Sequence, residues 1–139
     1  MDPQDFLNTA DALVNSSEQS DLRTSVSRSY YAVILFYRDY FAGKLGFLPE
    51  KLRTAVHNFV PECFNACDPV EAKKIGEKIN RLKQDRTNAD YILSKTVSSA
   101  KAEDCLGLAK ELIDCSIPSQ IELAVLAQAT TRAKAQRLI

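Results

Sequence analysis

The residues that could do chemistry in this chain are few, and they have a theme. Arg86, Tyr91 and the single histidine, His57, are the candidate catalytic groups, and Arg28, Tyr30, Tyr31, Asn88 and Asp90 the candidate binding groups. A guanidinium is a planar fork that matches phosphate oxygens, and aromatic rings give bases a face to stack on. The set therefore suits recognition of a phosphate on RNA or a nucleotide. Metal-free RNA cleavage needs a base for the 2′-hydroxyl, an acid for the leaving oxygen and a cation for the phosphorane charge. Arginine with histidine or tyrosine could supply these. The competing reading is structural: Arg28 in an ion pair, the tyrosines as packing, and Arg86–Asp90–Tyr91 as a hydrogen-bond network.

Other chemistries lack their residues. There is no Gly-rich phosphate loop, HExxH pair or GxSxG elbow, and no carboxylate set spaced for a di-iron bundle. The four cysteines, Cys63, Cys67, Cys105 and Cys115, include no CxxC pair and have one histidine to share. They are expected to be free, mostly buried thiols, and no metal or cofactor is expected. Formal net charge is zero, so bulk charge does not indicate a nucleic-acid binder, although a local patch can act as one. The N-terminus is acidic and no apolar signal region follows it, so a reduced, cytoplasmic setting without membrane attachment is expected.

The elements that must position these residues are helices. Arg23 to Phe41 runs without Gly or Pro and is apolar nearly all round, which predicts a buried central helix. Arg28 and the Arg38–Asp39 pair interrupt it, so it is no membrane span. Ser20 or Asp21 is its expected cap, and Gly43 to Gly46 its stop. Asp2-Pro3 opens an earlier helix with the stripe Phe6, Leu7, Ala10, Leu13 and Val14.

Pro49 to Cys67 reads as a third helix that Pro61 bends or splits, with Arg53 and His57 one turn apart. Val70 to about Tyr91 follows. Its inward stripe of Ile75, Ile79 and Leu82 continues to Arg86 and Ala89, so Arg86 points inward and needs an anion or several acceptors. Asp90, four residues on, can pair with it. Asn88, two residues from Arg86, points elsewhere if the helix persists. Ser98 or Ser99 caps a fifth helix, and Ser119 to Glu122 fits a capping box for a last one. The class is all-α: an antiparallel up-and-down bundle of four to five helices plus a C-terminal helix.

The stretches SVSRSYYAVILFYRDYF, AVHNFV and INRLKQDRTNADYIL resemble the HEPN superfamily over roughly Phe6 to Ile113. The nearest likeness is to small stand-alone prokaryotic members with R-S-Y-Y-A and R-x-x-A-D-Y motifs. The resemblance implies a bundle over 1–117 that forms a homodimer, with 118–139 packing on it or on a dimer partner. It also implies metal-independent RNases of toxin–antitoxin, phage-defence and CRISPR systems, some paired with a small nucleotidyltransferase. The family's usual motif is R-x(4–6)-H across the dimer cleft. Arg86 matches its arginine, but Asp90 or Tyr91 falls where its histidine would be. The alternative is a non-catalytic interaction module that partners a nucleotidyltransferase, an antitoxin or a defence complex.

Overall fold

The computed structural model describes residues 2–139. Among them are six α-helices and no strand: α1 Pro3–Leu13, α2 Gln19–Leu45, α3 Val56–Asn65, α4 Val70–Tyr91, α5 Ser99–Cys115 and α6 Ser119–Ala135. A 3-10 segment, Pro49–Ala55, precedes α3. The fold is all-α, a helical bundle. No described helix is long and apolar enough to cross a membrane.

Two compact units share the chain. Of the described residues, the first takes 2–33 and 80–114, and the second 34–79 and 115–139. Helices α2 and α4 each contribute one half to either unit. The all-round apolar character of α2 has its predicted consequence: between Gln19 and Leu45, just Ser20, Asp39, Gly43 and Lys44 are exposed.

In the first unit, α1 begins with a reciprocal cap. The Asp2 carboxylate accepts from the Gln4 amide at 2.9 Å, while Asp5 accepts from the Asp2 amide at 3.1 Å. Small polar residues of α2 then fasten neighbouring backbone. The buried Ser25 hydroxyl donates to the Ala10 carbonyl at 2.8 Å. The Gln19 side-chain amide pairs with both backbone groups of Val97, donating at 2.8 Å and accepting at 2.6 Å. Ser98 caps α5 by accepting from the Lys101 amide at 3.0 Å.

The second unit is built on aromatic rings. Tyr37 and Phe41 of α2 meet Phe64 of α3 edge-on or tilted, at 5.2 and 5.9 Å between centroids. Phe59 joins Phe41 and Phe47 at 5.8 and 6.4 Å. These are the preferred geometries of ring quadrupoles, worth ~1 kcal/mol per pair beyond the area buried. α6 packs on α3, and Arg132 donates to Glu62 at 2.8 Å. At the end of α2 the amides of Gly46 and Phe47 both reach the Ala42 carbonyl, and Gly46 supplies the left-handed φ of +79° that this closure requires.

Several boundaries depart from the sequence reading. α2 starts at Gln19, ahead of both expected caps. Asp21 instead accepts from the Ser16 hydroxyl at 2.7 Å, and Ser16 in turn accepts from the Glu18 amide, so the cap is a small network upstream. The break in the third segment falls at Arg53, with φ 50° and ψ −134°, and not at Pro61. Pro61 lies inside α3, where it removes one intrahelical bond without ending the helix. α6 has no side-chain cap: its N-cap is Pro118, which offers neither a side-chain acceptor nor an N–H, and the expected cap, Ser119, is already the first helical residue, while Glu122 accepts from the Tyr40 hydroxyl.

Burial of titratable groups gives this fold an alkaline limit. Burial pushes the Cys63 and Cys105 thiols from 9.0 up to about 12, and the Tyr30 phenol from 10.0 up to about 12. Between those values the folded chain holds protons that the unfolded chain has released, so stability falls as pH rises. The urea midpoint should be level up to pH 9 and then decline through pH 11, by at most ~1.4 kcal/mol per pH unit for each group. A midpoint unchanged at pH 11 would contradict this account.

Candidate functional site

The C-terminal half of α4 carries the candidate site, and its geometry starts with where the helix ends. The Ile92 amide closes the last turn on the Asn88 carbonyl at 3.0 Å. The remaining carbonyls of a helix end need donors, and a cation there also complements the helix dipole. Arg23 of α2 supplies both. Its guanidinium donates to the carbonyls of Ala89 at 2.8 Å, Ile92 at 3.4 Å and Leu93 at 3.3 Å, and also to that of Lys95. One side chain thus fixes the last turn of α4 and the segment after it.

Arg86 lies one turn back from that end, and its inward phase is as the stripe predicts. Ile79, Leu82 and Ala89 are buried, and Arg86 is 8% exposed. Three ring faces surround its charge: the guanidinium carbon is 5.2 Å from the Tyr30 centroid, 5.3 Å from Tyr31 and 5.9 Å from Tyr91. Desolvated cation–π contacts are worth ~2 kcal/mol each at most. Arg86 also donates to the Tyr30 hydroxyl. Its ion pair with Asp90 spans 3.8 Å, beyond hydrogen-bonding distance, and its buried Nε has no hydrogen-bond partner.

Tyr30 is fully buried and meets Tyr31 edge-on at 5.5 Å. With its pKa raised to about 12 by burial, against the opposing pull of Arg86, it remains a neutral phenol at physiological pH. Tyr31 is shared: the Arg28 guanidinium lies 5.8 Å from its centroid and 5.5 Å from that of Phe6. So two guanidiniums are held against one tyrosine ring. Tyr91 is 68% exposed, a ring open to solvent on one side and against Arg86 on the other.

Of the eight candidate residues, the structure gathers six in one cluster: Tyr30, Tyr31, Asp90 and Tyr91 lie against Arg86, and Arg28 joins them through the Tyr31 ring. Asn88 is turned away. It accepts from the Gln84 side chain at 3.2 Å and lines a separate cavity of about 260 Å³ with Asp85, Lys95 and Ser98. Because the helix persists to Tyr91, Asn88 is out of phase with Arg86. His57 lies half-buried on α3 in the second unit, whereas Arg86 belongs to the first.

Two contributors were not singled out by sequence. Ser27 donates to Asp90 at 3.3 Å, and Arg23 clamps the helix end. Their partners lie more than sixty residues away in sequence, so no local pattern signals them. The cysteines stand apart from this cluster. The Cys67 thiol donates to the Cys63 carbonyl at 3.1 Å, and at about 12 the Cys63 and Cys105 thiols are protonated and not nucleophilic at neutral pH. Among the described residues no group of three or more side chains is arranged to hold a metal ion.

The HEPN domain family matches residues 4–120, most of the chain. The chain belongs to the HEPN family. No curated protein and no solved structure gives a significant match. Within this HEPN domain, Thr87 to Ile92 contains no histidine, and the residues that approach Arg86 from that stretch are Asp90 and Tyr91.

Loss of the Arg23 clamp should loosen the end of the HEPN domain's fourth helix. Arg23→Ala is expected to cost ~1.5–3 kcal/mol in urea unfolding, the range for hydrogen bonds to a charged donor. Amide hydrogen exchange should speed up at residues 89–95. Unchanged exchange there would show that the carbonyls do not depend on Arg23.

Proposed function

We propose that this HEPN protein binds RNA or a nucleotide through phosphate contact at Arg86, acting as a homodimer in a toxin–antitoxin or defence type of system. The observation that carries the reading is the Arg86 guanidinium, 8% exposed, held by three tyrosine rings and met by a carboxylate only at 3.8 Å. A desolvated, oriented guanidinium is an anion receptor whose own reorganisation is already complete. Arg28, fixed against Phe6 and Tyr31, offers a second fork beside the first. The exposed ring of Tyr91 offers a stacking face. Metal-independent cleavage is the enzymatic extension of this reading, with Arg86 opposing the phosphorane charge and Tyr91 handling a proton.

A second reading draws on a different observation. Tyr91, Ile92 and Leu93 are consecutive and exposed, Leu93 at 80%. Such a patch favours contact with another protein. On that reading the domain is a non-catalytic module that partners a nucleotidyltransferase, an antitoxin or a defence complex, and Arg86 is compensated within the chain.

One experiment separates them. A labelled RNA pool is incubated with wild type and with Arg86→Ala in EDTA, and both binding and cleavage are followed. The first reading expects wild-type binding that weakens with salt, because phosphate contact releases counterions. It also expects at least ~10-fold weaker binding by a folded Arg86→Ala protein. Cleavage by wild type alone would establish the RNase extension. Absence of binding by either protein, with Arg86→Ala merely less stable, would leave the interaction module.

A further inference from the structure

Asp90 is badly placed for a structural carboxylate. It lies in the last turn of α4, where the helix dipole disfavours negative charge. Its two contacts are both long: 3.3 Å from the Ser27 hydroxyl and 3.8 Å to Arg86. A firm hydroxyl-to-carboxylate bond is ~2.6 Å, and a charge-assisted guanidinium bond ~2.8 Å. The Asp90 side chain is 28% exposed, against 9% for Arg86. It therefore provides the field of an anion beside Arg86 without saturating its donors, and Nε remains unpartnered. A carboxylate held this loosely can swing into solvent, whereas the ring-clamped guanidinium cannot follow it.

We propose that Asp90 is a gate on the Arg86 site. In the free protein it sits against the guanidinium as an internal competitor, and a phosphate group on the ligand must displace it to bind. The inference rests on the phosphate-binding reading above. It assigns Asp90 a role opposite to that of a binding residue, since its negative charge repels the phosphate and claims the same cation. The gate sets a threshold. A ligand that engages the guanidinium fork with two oxygens displaces Asp90, while a weakly charged or singly contacting anion does not.

The test measures affinity for a fluorescein-labelled short single-stranded RNA by anisotropy at fixed salt. Asp90→Asn and Asp90→Ala are compared with wild type, with Arg86→Ala and with Glu103→Gln, which removes the same charge from α5. Circular dichroism confirms that each protein is folded. Both Asp90 variants are expected to bind ~10-fold tighter than wild type, and Glu103→Gln within ~2-fold of it. Asp90→Glu, which keeps the charge, should bind like wild type. If wild type binds, Arg86→Ala does not, and the Asp90 variants gain no more than Glu103→Gln, the gate is overturned while phosphate binding at Arg86 stands. If neither wild type nor the Asp90 variants bind, the phosphate reading fails and the gate with it.

Discussion

A guanidinium taken out of water must be compensated, and in the first unit of this HEPN domain Arg86 is compensated mainly by ring faces. Tyr30, Tyr31 and Tyr91 lie within 6 Å of its charge, while the nearest carboxylate remains at 3.8 Å. Ring faces attract a cation but accept no directed hydrogen bond from its edge donors. The charge is thereby tolerated in the interior while part of its hydrogen-bonding capacity stays unspent. A tight bidentate carboxylate would have stabilised the fold better and left nothing for a ligand.

Much of the surrounding structure follows from keeping that arrangement in place. Tyr30 and Tyr31 must be adjacent on a helix that is buried nearly all round, so that one ring is enclosed and the other reaches a second guanidinium. α4 must continue one turn beyond Arg86, so that Asp90 and Tyr91 on that turn come beside its guanidinium. Arg23 secures that end through carbonyls, and Gln19 secures the backbone at Val97. These are side-chain-to-backbone contacts made by polar residues of α2, as is that of Ser25 to the Ala10 carbonyl, and they explain why a core helix carries Gln19, Arg23 and Ser25. Of the small polar residues around Arg28, Ser25 fastens α1 in this way, while Ser27 makes only a long 3.3 Å contact with Asp90.

The all-α class, the helix order and the inward phase of Arg86 were legible in the sequence, because each depends on residue periodicity alone. The turning away of Asn88 was legible for the same reason. Less was legible at helix ends. Whether Asp21 caps α2 or Ser119 caps α6 depends on where each helix starts, and both begin earlier than expected, at Gln19 and at Ser119 after Pro118, with Asp21 taken by the Ser16 hydroxyl. The break at Arg53 was hidden by Pro61, the more conspicuous breaker, whose ring α3 accommodates at the loss of one bond.

By itself the sequence determined which residues share a helix face, which stretches are buried, and that α2 and α4 carry arginines and tyrosines, with Arg86 in inward phase. It could not determine what meets what across the first unit. That Arg86 touches three tyrosines, that Arg23 closes the far helix end and that Ser27 reaches Asp90 were decided by tertiary structure. The physical reason is range. Helical phase is set by neighbours three and four residues away, whereas the partner that satisfies a buried charge or an orphan carbonyl is chosen by packing between segments some sixty residues apart in sequence.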